Sequence, residues 1–406
     1  MPLESRTNPD RVERQIGKEA SCEIESLPMT SKPRTIRLSK ASIGDAEKQA
    51  VLRPLDREYL GMGTEVQGFE TELEAYLGRP AVCVATGTAA LQLALQGIGI
   101  GPGDEVLVPS LTFVASFQAI AATGATPVAC DIRADSCMLD VADARRRLTA
   151  RTRAVMPVHY AGGVGDLDQV YAFARDEGLR VVEDAAHAFG TVHHGKPVGA
   201  NGDVVCFSFD GIKNITSGEG GCVVTDDPET LSRVRDARLL GVENDTSARF
   251  SGQRSWDFDV TAQGWRYHMS DIMAAIGRTQ LARRESLAEK RQALAKRYAQ
   301  RLGASDRIAP VLTRFDDVVP HIFPVRIAGL PDRDVLRLQL RDRGVETGVH
   351  YRPNHLLTFF ARSDQAPLPI AERVYAELLS LPLHPDLDDS DIDYVCAQLL
   401  EALSAI

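Results

Sequence analysis

Between residues 81 and 186, short apolar runs alternate with segments of helical periodicity, and this alternation constrains the fold more than any other feature of the chain. AVCVAT (81–86), DEVLVPS (104–110), TPVACDI (126–132), RAVMPVHY (153–160) and RVVEDAA (180–186) read as strands bounded by turn residues. Between them lie GTAALQLALQGIG (87–99), FVASFQAIAATG (113–124), VADARRRLT (141–149) and DLDQVYAFARDEG (166–178), which read as helices. Upstream, EVQGFETELEAYL (65–77) is helical and Gly78 closes it. Apolar strands that each lead into a helix predict an α/β fold with a mostly parallel sheet covered on both faces. DVVCFSF (203–209) and GGCVVTDD (220–227) add two further strand-like runs.

The rest of the chain frames this unit. Residues 1–34 are polar, hold Pro2, Pro9, Pro28 and Pro33, and read as a tail or an arm laid on a partner subunit. A large domain is expected over 35–269, loosening into a polar stretch at about 244–264. A long helix follows at about 270–302 and leads into a smaller C-terminal α/β domain, giving a second unit over 270–406.

Composition narrows the function. The formal net charge of -10 disfavours a nucleic-acid partner. No apolar run is long enough to span a membrane and the N-terminus lacks a secretory h-region, so a cytoplasmic protein is expected. The seven cysteines form no CxxC and no zinc-ligand spacing. Several lie in apolar runs, so they are expected to be reduced, buried thiols, and no metal is expected.

Ligands of open α/β sheets bind beyond the carboxyl ends of the strands. Gly87-Thr88 follows the first strand at a helix start, where free backbone N–H groups suit either a helix cap or a phosphate. Asp184 ends the 180–186 run, before His187; it reads as a cap, an ion-pair member, or an acid that holds a proton on a heterocycle. Lys213, in FSFDGIKNITSGEGG (207–221), reads as a surface charge or as a Schiff-base lysine. Ser208 precedes it, and Gly218, Gly220 and Gly221 permit close backbone approach. A phosphate cradle, an acid and a lysine in that order are the handles a pyridoxal phosphate site needs. A nicotinamide dehydrogenase is excluded by the lack of a strand–GxGxxG–helix unit.

These stretches, with VPSLTFVASFQAI, PVHYAGGVGDLD, VVEDAAHAFG, YHMSDIMAAIGRTQL, GVETGVHYRPNH and LSLPLHPDL, resemble the DegT/DnrJ/EryC1/StrS family of sugar aminotransferases. The resemblance implies a fold-type I transferase that depends on pyridoxal 5'-phosphate, with a seven-stranded-type sheet and a smaller C-terminal domain. It implies that Lys213 holds the cofactor's aldehyde and carries the proton, and that Asp184 partners the pyridinium nitrogen. Gly87, Thr88 and Ser208 would bind phosphate, Phe113 would stack on the ring, and His187 would lie near the 3'-oxygen. His159, Glu219, His350 and Tyr351 would face the substrate, and His355 reads as a surface residue. The family's Asn that reaches the neighbouring subunit's phosphate is missing from Gly264-Trp265-Arg266-Tyr267-His268-Met269, where Arg266 or His268 would substitute. The implied reaction takes an amino group from L-glutamate to a nucleotide-linked keto-sugar, at C4 of a 4-keto-6-deoxyhexose, in a homodimer with shared sites. A keto-cyclitol acceptor is the alternative. A same-fold dehydratase would carry histidine in place of Lys213, and a non-catalytic regulator would have lost Lys213 or Asp184.

Overall fold

The computed structural model describes residues 35–243, 245–251 and 257–404. The N-terminal tail lies outside them, as does part of the polar stretch at 244–264. From Thr35 onward the chain forms a single compact unit. Along it run β1 (Ala81–Val84), β2 (Glu105–Pro109), β3 (Thr126–Cys130), β4 (Thr152–Val155) and β5 (Arg180–Asp184). The short hairpin of β6 (Val192–His193) and β7 (Lys196–Pro197) comes next, then β8 (Val204–Ser208) and β9 (Gly221–Val224).

Seven of these form one sheet in the order β1-β9-β8-β5-β4-β2-β3. Neighbouring strands are parallel except at β9, which runs antiparallel to both β1 and β8. The reason is the connection: no helix intervenes between β8 and β9, and without a crossover a strand returns antiparallel. Gly221 is held between Val84 of β1 and Ser208 of β8. Because β1, β5 and β8 run the same way, Gly87, Asp184 and Lys213 leave the sheet at one edge.

The strands are apolar because the sheet is covered twice. β1, β2, β8 and β9 are buried at every residue. The helix Thr64–Leu77 buries Val66, Phe69, Leu73 and Leu77 on one stripe. It ends, as the sequence predicts, at Gly78, which takes the left-handed conformation (φ 71°) that a Cβ would disfavour. Phe69 is wholly buried, a contribution of about 1.5–3 kcal/mol on transfer grounds.

The helix expected at about 270–302 is two helices, Asp271–Ala282 and Arg284–Leu302, broken at Arg283 (φ -107°, ψ 15°). The first packs on the helices Asp45–Asp56 and Thr64–Leu77. The second packs on Asp389–Ser404, beside the sheet of β10 (Ile308–Pro310), β11 (Phe323–Ile327) and β12 (Leu378–Leu381). The chain therefore passes from one core to another at the break. The second core gathers Leu294, Tyr298, Val325, Leu336, Val395 and Leu399. The six cysteines among the described residues are free and buried, as the sequence predicts. No described helix is long and apolar enough to cross a membrane.

Candidate active site

A cavity of about 390 Å³ opens at the carboxyl edge of β1, β5 and β8. Its lining includes Gly87, Thr88, Phe113, Asp184, His187, Ser208, Lys213, Glu219, His350 and Tyr351. Residues dispersed from 87 to 351 in the sequence thus meet at one place.

At one end is the start of the helix Gly87–Gly97. Thr86 caps it, its hydroxyl accepting the N–H of Ala89 at 3.0 Å. The first N–H groups of a helix have no intrahelical acceptor, so those of Gly87 and Thr88 are available to an anion, aided by the helix dipole. A Cβ on Gly87 would stand 2.7 Å from the Cβ of Ser208 and 2.9 Å from its hydroxyl. Glycine is therefore what lets the helix start and the serine converge.

Asp184 ends β5 and is 6% exposed. Ser116 Oγ donates to its Oδ2 at 2.7 Å and the Ala186 N–H to its Oδ1 at 3.2 Å. Thr112 in turn bonds Ser116 at 3.0 Å, so the carboxylate is held by a chain of hydroxyls. Phe113 is 54% exposed, an unusual state for an aromatic that lines a cavity, with its ring 5.5 Å from that of Tyr351. The open ring face suits a flat ligand.

Lys213 follows a turn in which its N–H bonds Asp210 O at 3.0 Å. Burial pulls its ammonium below the usual lysine range, Asp210 and Asp184 oppose the shift, and Arg291 adds to it. The side chain does not point to solvent as a surface lysine would; Nζ lies 3.4 Å from Nε2 of His321. His187 accepts the Ala161 N–H at Nδ1 (3.3 Å), so Nε2 carries the proton and faces Tyr351 Oη at 3.1 Å. Burial, then the charge of Lys213, push His187 and His321 well below the ordinary imidazole range. His350 is pushed down to about 4 by the same two causes, and its Nδ1 bonds Ser380 at 2.7 Å. Glu219 is exposed at the rim, its carboxyl raised by partial burial and by Asp210.

Two sequence expectations meet something different. His159 does not line the cavity. Its Nε2 bonds Glu183 at 2.7 Å, and both are nearly fully buried. Successive residues of a strand face opposite ways, so when Asp184 faces the cavity Glu183 turns away and takes His159 with it. His355 is not a surface residue: its side chain is 7% exposed and bonds Ser110 Oγ at 2.7 Å. Arg266 and His268, expected at the phosphate of a neighbouring subunit, lie along the outer edge of the sheet, Arg266 bridged to Leu239 and His268 to Val84, outside this chain's own cavity. His268 is pushed down to about 4 by burial and nearby arginines, and its buried Nδ1 has no partner among the described residues.

Sequence reasoning passes over three residues that support Lys213. His321 is one. Asn214 is buried and donates to the carbonyls of His187, Phe189 and Val319. Arg291 is fully buried and donates to the carbonyls of His321, Leu383 and Ile212, fixing the turn before Lys213 to the second core. Only long-range contacts reveal them.

A lysine made more nucleophilic by burial and an acid held at a strand end are the working parts of the fold-type I transferases that depend on pyridoxal phosphate. That cofactor has a phosphate, a ring nitrogen and an aldehyde, and this edge carries a matching group for each. Within that class the chain belongs to the DegT/DnrJ/EryC1/StrS aminotransferase family, whose sequence pattern matches residues 41–400. It is 37% identical over 365 residues to the spore coat polysaccharide biosynthesis protein SpsC of Bacillus subtilis, covering 87% of this chain and 93% of that one. Among solved structures it is similar to the aminotransferase TlmJ of Streptoalloteichus hindustanus (34% identity, TM-score 0.84, covering 91% of this chain and 99% of that one). It is also similar to the sugar aminotransferase Spr1654 of Streptococcus pneumoniae in its PMP-form (30% identity, TM-score 0.86, 91% and 100%). The PLP-form of Spr1654 matches with a TM-score of 0.85.

Proposed function

We propose that the chain moves an amino group from L-glutamate to a keto-sugar carried on a nucleoside diphosphate, at C4 of a 4-keto-6-deoxyhexose, as a homodimer. The observation that carries this reading is the meeting of Lys213, Asp184 and the Gly87-Thr88 helix start in one cavity. Relatives in polysaccharide synthesis and sugar amination support the acceptor class. The C4 position rests on the FSFxxxKxxxxGEGG form of residues 207–221.

When bound, pyridoxal phosphate supplies an aldehyde that takes up the amino group and a ring that accepts the electrons released at the donor carbon. Lys213 acts through its neutral amine, the form that burial favours, first as nucleophile and then as the base and acid that moves the donor-carbon proton. Ser116 and Ala186 orient the Asp184 carboxylate, which holds a proton on the ring nitrogen. The N–H groups of Gly87 and Thr88 and the hydroxyl of Ser208 would hold the phosphate, and Phe113 and His187, which line the same cavity, would hold the ring. Glu219, His350 and Tyr351 shape the sugar side. Arg266 and His268, away from this cavity, would donate to the phosphate bound by a second copy of the chain.

A panel of nucleotide keto-sugars and keto-cyclitols, incubated with glutamate and followed by product NMR, tests the reading. Amination at C4 of a nucleotide-linked 4-keto sugar is expected. Amination at C3 overturns the position, and turnover of a keto-cyclitol alone overturns the acceptor class.

A further inference from the structure

We propose that Asp168, His193 and His194 form a binding site for a divalent first-row transition-metal ion such as zinc or nickel, apart from the Lys213 cavity. The hairpin builds it. β6 and β7 pair Val192 with Pro197 and His193 with Lys196, leaving His194-Gly195 as a two-residue turn. Both turn residues have positive φ, 51° at His194 and 74° at Gly195, as a type I' turn requires. Asn or Asp is the usual first residue of such a turn, and histidine is the other side chain enriched at positive φ, so the turn accepts it. Here it brings two consecutive imidazoles together, with ring centroids 4.0 Å apart, where strand geometry would have sent them to opposite faces.

The third group comes from another element. Asp168 lies in the first turn of the helix Leu167–Glu177. Its Oδ1 is 3.3 Å from His193 Nε2 and its Oδ2 is 2.8 Å from His194 Nε2. One ligand atom from each residue lies within 4.8 Å of the others. Zinc ligands at about 2.0–2.1 Å in a tetrahedron stand about 3.3–3.4 Å from one another, so the three atoms need only small movements to share an ion. Two imidazoles and a carboxylate are a nitrogen and oxygen set suited to zinc, nickel or cobalt, and the carboxylate offsets half of the ion's charge. The side chains of His194 and Asp168 are 68% and 71% exposed, which leaves further coordination positions to water. Exposed ion pairs contribute only about 0–1 kcal/mol, so the contacts of Asp168 with the two histidines add little stability by themselves.

An ion here would fasten the hairpin to the helix. The hairpin is in turn tied to the loop that carries His321: Val192 N–H donates to Asp317 O at 2.7 Å, and Val319 N–H to Thr191 Oγ1 at 3.0 Å.

The test is calorimetric titration of zinc chloride into metal-free, untagged holoenzyme, repeated with cobalt(II) to read its visible spectrum. One saturable equivalent per chain at micromolar metal is expected, with a melting temperature that rises as zinc is added. His194→Asn, which keeps a residue that tolerates the turn, should weaken binding by at least about tenfold. The double variant His193→Gln, His194→Asn should lose both the saturable heat and the thermal shift while remaining folded and active. Unchanged binding in the double variant, or wild-type saturation only at millimolar metal, overturns the proposal.

Discussion

Glu183 and Asp184 are neighbouring acids at the end of β5, 2% and 6% exposed, and each belongs to a network of polar side chains. Asp184 faces the cavity and is held by Ser116 and the Ala186 N–H. Glu183 faces the opposite way, where it bonds His159 at 2.7 Å and the Tyr171 hydroxyl at 2.5 Å. Burial and hydrogen bonding are alike in the two; the difference is which side of the strand each occupies. Each acid borders a cavity, so what separates them is the company: only the side that Asp184 faces also holds Lys213 and the Gly87-Thr88 helix start.

Four substitutions or conditions break this contrast if it is wrong. Asp184→Asn keeps the shape and removes the charge, and steady-state kinetics should show kcat lowered by at least about a hundredfold with the fold intact. Near-normal turnover would mean the acid is structural after all. Gly87→Ala puts a methyl group 2.7 Å from Ser208 Cβ. Cofactor affinity, read by fluorescence titration of the apoenzyme, should fall by about tenfold, the equivalent of about 1.4 kcal/mol. Glu183→Ala leaves His159 and Tyr171 without their shared acceptor. Denaturant unfolding should show a loss of about 2–4 kcal/mol, while kcat of the folded fraction stays close to wild type. A large kcat loss there would erase the distinction between the two acids.

The smallest effect is in pH. His187, His321 and His350 have folded pKa values below the ordinary 6.5, His350 at about 4. Between those values the unfolded chain binds protons that the folded chain refuses, so stability rises with pH there. It is fully present above about 6.5 and is lost as pH falls toward 4. His350→Asn should remove up to one proton from that slope, at most about 1.4 kcal/mol per pH unit, in unfolding curves taken between pH 6 and 5. An unaltered slope would show that His350 titrates normally.

Much of this was legible in the sequence because it is local. Apolar strands followed by helices fix the sheet, and Gly87-Thr88, Asp184 and Lys213 each follow a strand at the edge where such sheets bind ligands. What escaped is either unpatterned or long-range. The helix Asp45–Asp56 buries only Glu47, Ala50 and Pro54, so it has no apolar stripe to betray it. The break at Arg283 falls in ARRESL, without the glycine or proline that would mark it. His159 and Asp184 were both candidates by resemblance, and only the pleat of β5 separates them. His321 stands 108 residues from Lys213 and meets it through the contact between the two cores.

The measurement that bears most directly on the site is borohydride reduction of the purified, cofactor-loaded protein followed by peptide mass spectrometry. The visible absorbance should vanish and one phosphopyridoxyl group per chain should be found, on the peptide that contains Lys213. Attachment to a different lysine, or protein that stays colourless and unlabelled with added pyridoxal phosphate, would contradict it.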